Sequence, residues 1–226
     1  MKIMFVEAKS NVEIQSDRAI VALKNFQKVG LVSTVQFLDQ LPALIKILER
    51  VGKQVFIAKP RLHAVKDGQV LGCDVSAAVD LDKKVECILY VGTGWFHPLG
   101  AGYQIGKPIF TLNPFTGDTE IVSEKQIKRW QLQQQARILK AKEARVYGIL
   151  ITTKPGQMYL EKGQELKSKI ESQGKKAYIF IADTVNPNEL QNFPKIEAWI
   201  NTACPRMIDD QELYNRPIVN PYELGF

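Results

Sequence analysis

Residues 145–182 read RVYGILITTKPGQMYLEKGQELKSKIESQGKKAYIFIA. An apolar, β-branched run at 145–152 gives way to turn formers around Pro155 and Gly156. Apolar residues at helical spacing follow over about 158–173, and a second apolar run occupies 176–182. Strand, helix and strand in that order form one crossover unit, which backbone chirality makes right-handed and which pairs its strands in parallel. A run that is apolar at nearly every position suits a strand covered on both faces, as parallel sheets are.

The alternation extends both ways. Towards the C-terminus a last strand is expected at about 196–201 (IEAWIN). Towards the N-terminus lies a long helix at about 123–143. Before it come strands near 2–8 (KIMFVEA), 31–37 (LVSTVQF), 54–58 (QVFIA), 86–91 (ECILYV) and 108–112 (PIFTL), with helices over 16–28 and 39–51. The stretch 113–122 (NPFTGDTEIV) is rich in turn formers and separates the two series. The expected fold class is therefore α/β, with two successive small Rossmann-like domains, residues 1–116 and 117–226, each a parallel sheet flanked by helices. A chain of 226 residues suits two such domains. Hydrophobic residues at 45% and charged residues at 24% are enough to bury cores and argue against disorder. No apolar run approaches the ~18 residues of a membrane-spanning helix, and the N-terminus lacks a signal-peptide pattern. A cytoplasmic protein is expected.

Open parallel sheets bind ligands beyond the carboxyl ends of their strands, so the loops that follow strands matter most. These are GQVLGCD (68–74), VGTGWFHPLG (91–100), ITTKPGQ (151–157) and NTACPRMIDD (201–210). The three cysteines are too few and too scattered for a disulfide framework, which leaves reduced thiols or metal ligands. Cys204 follows an apolar strand directly; Pro205 stops the ladder and Arg206 sets a fixed positive charge beside the thiol, which favours thiolate. Cys73 follows Gly72 at the expected start of a small-residue helix, CDVSAA, whose positive end also favours thiolate. For both, simple packing is an equal alternative. Cys87 lies inside ECILYV and is read as a packing residue. His97 shares its loop with Gly92, Gly94 and Gly100, which let backbone N–H groups approach a ligand. It is open between capping that loop and touching substrate, whereas His63 reads as solvent-facing.

The chain has no H-E-x-x-H, C-x-x-C or G-x-S-x-G, so zinc hydrolysis, dithiol redox work and serine hydrolysis have no local support. The net charge of +6 is mild. Its distribution is less even, because Lys125, Lys128, Arg129, Arg137, Lys140, Lys142 and Arg145 share one segment with Glu143 as the single acid between them. Ile127, Trp130, Ile138 and Ala141 recur there near helical spacing, so one face should pack. The basic face is then either solvated or a docking surface for an acidic protein or an RNA-bound substrate.

Taken together, several stretches resemble the diphthamide synthase family, the archaeal-type 2-(3-amino-3-carboxypropyl)histidine synthases, in its second and third domains. They are GQVLGC ending at Cys73, ILYVGTGWFHPLG at 88–100, NPF at 113–115, KRW at 128–130 and ACPRMIDD at 203–210. The resemblance implies a family of three similar α/β domains, each giving one cysteine to a single 4Fe–4S cluster where the domains meet. Cys73 would be the second ligand and Cys204 the third, with Cys87 matching neither. Three thiolates hold three irons and leave the fourth open, here for S-adenosylmethionine.

The implied reaction is cleavage of that molecule's bond from sulfur to Cγ by an electron from the reduced cluster, then addition of the aminocarboxypropyl radical to a histidine of translation elongation factor 2. For that reaction, local chemistry makes Arg206 and His97 candidate catalytic residues, with Arg206 and the loop 92–97 suited to the carboxylate of the transferred arm. Gly92, Thr93, Gly94, Gly156, Gln157 and Asp209 are candidate cofactor-binding residues, Gly156 and Gln157 meeting the nucleoside at a helix start and Asp209 orienting Arg206 or capping the following helix. The family's first domain has no counterpart before Met1, which leaves three expectations open: a separate chain that carries it and the first cluster cysteine, a fragment of a longer protein, or a relative that has lost the chemistry. A homo- or hetero-dimer is also expected, without membrane or direct nucleic-acid contact. Two alternatives stay open: a non-catalytic partner subunit of such a complex, and a cluster-free nucleotide-binding α/β module.

Overall fold

The computed structural model describes residue 4 and residues 6–226, apart from the side chain of Asp209. Contacts divide the chain into two compact units, Met1–Trp130 and Gln131–Phe226. Part of the strand expected at 2–8 lies outside the described residues. Residue 4 and residues 6–16 carry no regular structure. There Val6 is 80% exposed, without the burial that makes an apolar side chain favour a sheet.

The first unit begins with α1 (Asp17–Ala22), shorter than expected, and β1 (Lys28–Ser33). A 3-10 helix (Val35–Gln40), α2 (Leu41–Arg50), β2 (Gln54–Phe56), α3 (Ser76–Leu81), β3 (Cys87–Val91), α4 (Phe96–Gly102), β4 (Ile109–Leu112) and β5 (Thr119–Ile121) follow. β1 starts and ends earlier than the expected 31–37 because Lys28, Val29 and Gly30 pair in register with Gln54, Val55 and Phe56. The strand order is β2-β1-β3-β4-β5. The first four strands are parallel, and β5 runs antiparallel to β4. The turn-rich 113–122 therefore ends in a strand of the first sheet: Asn113 and Asp118 close the turn and Thr119 pairs with Leu112.

Alternation along β1 and β3 feeds two cores. Val29, Leu31, Cys87, Leu89 and Val91 face α2, while Val32, Ile88 and Tyr90 face α3. α2 forms where Leu41, Leu44 and Leu48 recur on one stripe, all at most 2% exposed, with Pro42 in its first turn. Burying each of these leucines contributes about 2 kcal/mol.

The second unit holds most of α5 (Glu124–Glu143), then β6 (Val146–Thr152), α6 (Leu160–Ser172), β7 (Lys176–Ala182), α7 (Pro187–Leu190), β8 (Ala198–Asn201) and β9 (Ile218–Val219). Between β8 and β9 lies a 3-10 helix (Pro205–Leu213), and another (Pro221–Leu224) follows β9. The order is β7-β6-β8-β9, all parallel. β8 is not the last strand, since β9 pairs Ile218 with Trp199. Two residues are too short a run to show a period, which is why the sequence conceals it. Gly148 in β6 lies under the ring of Trp199, which is 1% exposed, and a Cβ there would overlap the indole. Among the described residues no helix is long and apolar enough to cross a membrane.

Candidate functional site

At the carboxyl edge of the first sheet, Ser33 ends β1 and bonds to the connection from β2 to α3. Its N–H donates to Gly68 O at 2.8 Å, and Val70 N–H donates to Ser33 O at 2.8 Å. Leu71 and Asp74 then exchange backbone hydrogen bonds of 2.8 and 3.1 Å, making a tight turn with Gly72 and Cys73 at its tip. Cys73 is exposed there. It does not open a helix as expected, because α3 begins only at Ser76, after the turn has closed.

The turn is pinned by its neighbour. Asp74 is 1% exposed. One carboxylate oxygen accepts the N–H groups of Leu62, His63 and Ala64 at 3.1, 2.8 and 2.9 Å. The other accepts the Ser76 N–H at 3.0 Å and its hydroxyl at 2.5 Å. Burial alone would raise the Asp74 pKa, but the Ser76 hydroxyl and the backbone N–H groups of Ala64, Ser76 and His63 outweigh it and hold it at about 2. Gln69 adds a second stitch, its Oε1 accepting the N–H groups of Val65 and Lys66, both at 3.0 Å.

At the carboxyl end of β3, Gly92 leaves no room for a side chain, since a Cβ would strike the phenol of Tyr90 beneath it. Thr93 and Gly94 are exposed, and Gly94 adopts φ +74°. His97 belongs to the first turn of α4 rather than to the loop. Its Nδ1 lies 3.2 Å from the buried Tyr90 hydroxyl, with the two rings stacked at 5.8 Å. A cavity of about 140 Å³ opens beside this loop, lined by Gly92, Gly94, Trp95, Asn113, Asp118 and Glu120 among others. Arg18 and the Thr116 hydroxyl bind Asp118. Two carboxylates on its wall suit hydrogen-bond donors.

In the second unit, Gly156 and Gln157 lie in the turn after β6, where Gln157 N–H donates to Lys154 O at 3.0 Å. They precede α6, which starts at Leu160. Cys204 follows β8, the neighbour of β6, and caps the 3-10 helix Pro205–Leu213. It is half-buried, and Arg206 beside it is exposed. Thr202 ties the loop to β6 through its N–H and hydroxyl, both donating to Leu150 O at 3.0 and 2.8 Å. Asn201 Nδ2 donates to Cys204 O at 2.9 Å and to Asn220 Oδ1 at 3.0 Å. Asp209 lies outside the described residues as far as its side chain is concerned.

Cys87, by contrast, is fully buried in β3, and burial reinforced by the Glu86 carboxylate pushes its thiol up to about 12. Of the basic segment, Arg137 is not on a solvated face. It is 5% exposed and pairs with Glu223. Sequence reasoning missed Asp74, Gln69, Asn201, Asn220 and Glu223, and it counted Arg137 with the basic face. Only the last element has a readable signal: Asn-Pro-x-Glu at 220–223 spells a capping box, which the structure forms.

The sequence profile of a family described as putative diphthamide synthesis protein matches residues 1–226. The chain belongs to that family. The 2-(3-amino-3-carboxypropyl)histidine synthase of Pyrococcus horikoshii is 31% identical over 201 residues, which cover 88% of this chain and 56% of the relative. The synthase of the same name from Methanocaldococcus jannaschii is 29% identical over 83% of this chain and 56% of its own length. The chain thus spans about half the length of these curated relatives. A crystal structure of Dph2 from Pyrococcus horikoshii with a 4Fe–4S cluster superposes with a TM-score of 0.77 at 28% identity, covering 96% of this chain and 62% of that one.

The cluster named for that relative gives a fit test here. Among the described residues no three His, Cys, Asp or Glu side chains gather as a metal site. Cys73 and Cys204 nevertheless offer the soft sulfur donors that iron–sulfur clusters use, each on a backbone-bonded loop at the carboxyl edge of its own sheet. Buried Cys87 does not suit the role. By donor chemistry and exposure, Cys73 and Cys204 are each compatible with such a group.

Proposed function

We propose that residues 1–226 carry two of the cluster ligands, Cys73 and Cys204, of a 2-(3-amino-3-carboxypropyl)histidine synthase. In this reading the assembled enzyme, a homo- or hetero-dimer, transfers the 3-amino-3-carboxypropyl group of S-adenosylmethionine to a histidine of translation elongation factor 2. The first unit stands for the family's second domain and the second unit for its third. The observation that carries the reading is the family match over 1–226 combined with two accessible thiols, each on a pinned loop where parallel sheets present ligands. A third thiolate has to come from outside these residues, because Cys87 is sealed in a core. When bound, a 4Fe–4S cluster supplies the electron that breaks the bond from sulfur to Cγ.

The chain's own residues hold and orient. Arg206 presents a fork of donors that matches the carboxylate of the transferred arm. In the same unit, Gly156 and Gln157 offer backbone and amide groups to the nucleoside. In the first unit, the exposed Thr93 and Gly94 serve ligand contact, and His97, whose ring lies against Tyr90, supplies an imidazole.

Anaerobic reconstitution followed by iron and acid-labile sulfide analysis tests the assignment. Cys73→Ala and Cys204→Ala are expected to lose most of the bound iron, while Cys87→Ala keeps the wild-type amount. Equal loss in Cys204→Ala and Cys87→Ala would overturn it. With a first-domain partner from the family added, S-adenosylmethionine should yield methylthioadenosine; iron binding without that cleavage would favour a non-catalytic subunit.

A further inference from the structure

We propose that Asn201 is the positioning residue of Cys204, and that the buried Arg137–Glu223 ion pair secures it through Asn220. This deepens the cluster reading and rests on it for the thiol's purpose. The geometry stands by itself.

Asn201 is the last residue of β8, and residues 202–204 must leave the sheet and turn within a few bonds. Such a loop holds one shape only if its polar groups are satisfied inside the protein. Asn201 is 1% exposed and both ends of its amide are used. Oδ1 accepts the Ala203 N–H at 3.0 Å, and Nδ2 bridges Cys204 O and Asn220 Oδ1. The Cys204 carbonyl also accepts the Met207 N–H at 3.0 Å.

From Asn220 the network continues. Its backbone N–H donates to Glu223 Oε2 at 2.7 Å, and Glu223 Oε1 meets Arg137 Nη2. Arg137 Nη1 then donates to Ile208 O at 3.2 Å, in the 3-10 helix that Cys204 caps. The circuit leaves the cysteine backbone on one side and returns to its helix on the other. It also makes the C-terminal turn, residues 220–224, part of the support for a thiol that precedes it.

The test uses the full chain without metal. Asn201→Asp is nearly isosteric and keeps an acceptor for Ala203, but it cannot donate to Cys204 or Asn220. The measurements are iodoacetamide labelling resolved by peptide and hydrogen exchange of residues 202–208. Cys73, in the other unit, is the internal control, and circular dichroism checks the fold. Asn201→Asp is expected to raise both the labelling of Cys204 and the exchange of 202–208 about tenfold, what ~1.4 kcal/mol of lost local stability gives, with Cys73 unchanged. Glu223→Gln keeps an acceptor and should show a smaller rise, roughly threefold, in the same places. If Asn201→Asp does not fold, Glu223→Gln decides.

A folded variant whose Cys204 labelling and loop exchange stay within about twofold of wild type would overturn the proposal, since lost hydrogen bonds of this kind are worth more than that. So would an equal rise at Cys73, which would show general loosening. Neither readout involves iron, so the cluster assignment and the positioning role can fail separately.

Discussion

The first sheet runs β2-β1-β3-β4 before its antiparallel edge strand, and the second runs β7-β6-β8-β9. In each, the strand first in sequence lies second in space, so the loops after it and after its third neighbour diverge at the same switch point. Each switch point is tied by one hydroxyl-to-carbonyl bond between the same two strands, but from opposite sides. Ser33 at the end of β1 donates to Val91 O of β3 at 2.7 Å, whereas Thr202 after β8 donates to Leu150 O of β6 at 2.8 Å. The cysteines sit on non-equivalent loops: Cys73 follows the edge strand β2 and Cys204 follows the third strand β8. Their anchors differ as well. A single carboxylate, Asp74, gathers the long connection of the first unit, while amide side chains and a buried ion pair gather the short loop of the second. Repeated architecture thus determines where loops leave a sheet, and local polar chemistry determines how each cysteine-bearing loop is anchored.

The sharpest way to break this contrast is Asp74→Asn. A carboxylate accepting five donors cannot be replaced by an amide that must turn its own NH2 towards some of them. The expected cost is about 3 kcal/mol, read from denaturant unfolding of the first unit. A loss under about 0.5 kcal/mol, the scale of a neutral surface change, would show that Asp74 is not the anchor.

Acid sharpens it next. The folded Asp74 pKa of about 2 lies below its ordinary 3.8, so its contribution is fully present above the ordinary value and is lost as pH falls through the folded one. That contribution is on the order of 2 kcal/mol. Wild type should therefore lose stability between about pH 4 and pH 2 more steeply than Asp74→Asn. Superimposable acid limbs for the two proteins would refute the depressed pKa.

The smallest expected effect comes from making the sheets more alike. Cys87 pairs with Val29 at the start of β3 just as Ala198 pairs with Tyr147 at the start of β8, and both are fully buried. Cys87→Ala copies the second unit into the first and should cost about 1 kcal/mol through a small cavity. Native-state iodoacetamide at pH 8 should spare Cys87 in wild type; rapid labelling there would contradict a sealed thiol.

Much of the second unit was readable because β6 and β7 are long and largely apolar: β7 falls on the expected 176–182, and β6 begins one residue inside the expected 145–152. The first unit was harder to read. β1 contains Gly30 and starts at Lys28, and it owes its extent to pairing with β2 rather than to its own composition. His97 looked like a loop residue because Gly92, Gly94 and Pro98 surround it. Yet a proline in the first turn of a helix costs no hydrogen bond, and α4 starts just before it.

By itself, the sequence determined the α/β class, the alternation of elements, the reading of Cys87 as a packing residue and, through short motifs, the family. Periodicity and covalent restrictions at glycine and proline act within a few residues, so they survive in a linear reading. The tertiary structure alone decided that Cys73 tips a turn pinned by Asp74, that Arg137 is buried against Glu223, and that Asn201 and Asn220 meet beneath Cys204. These are pairings of polar groups between segments far apart in the chain, and their energies depend on the exclusion of water that only the assembled fold provides.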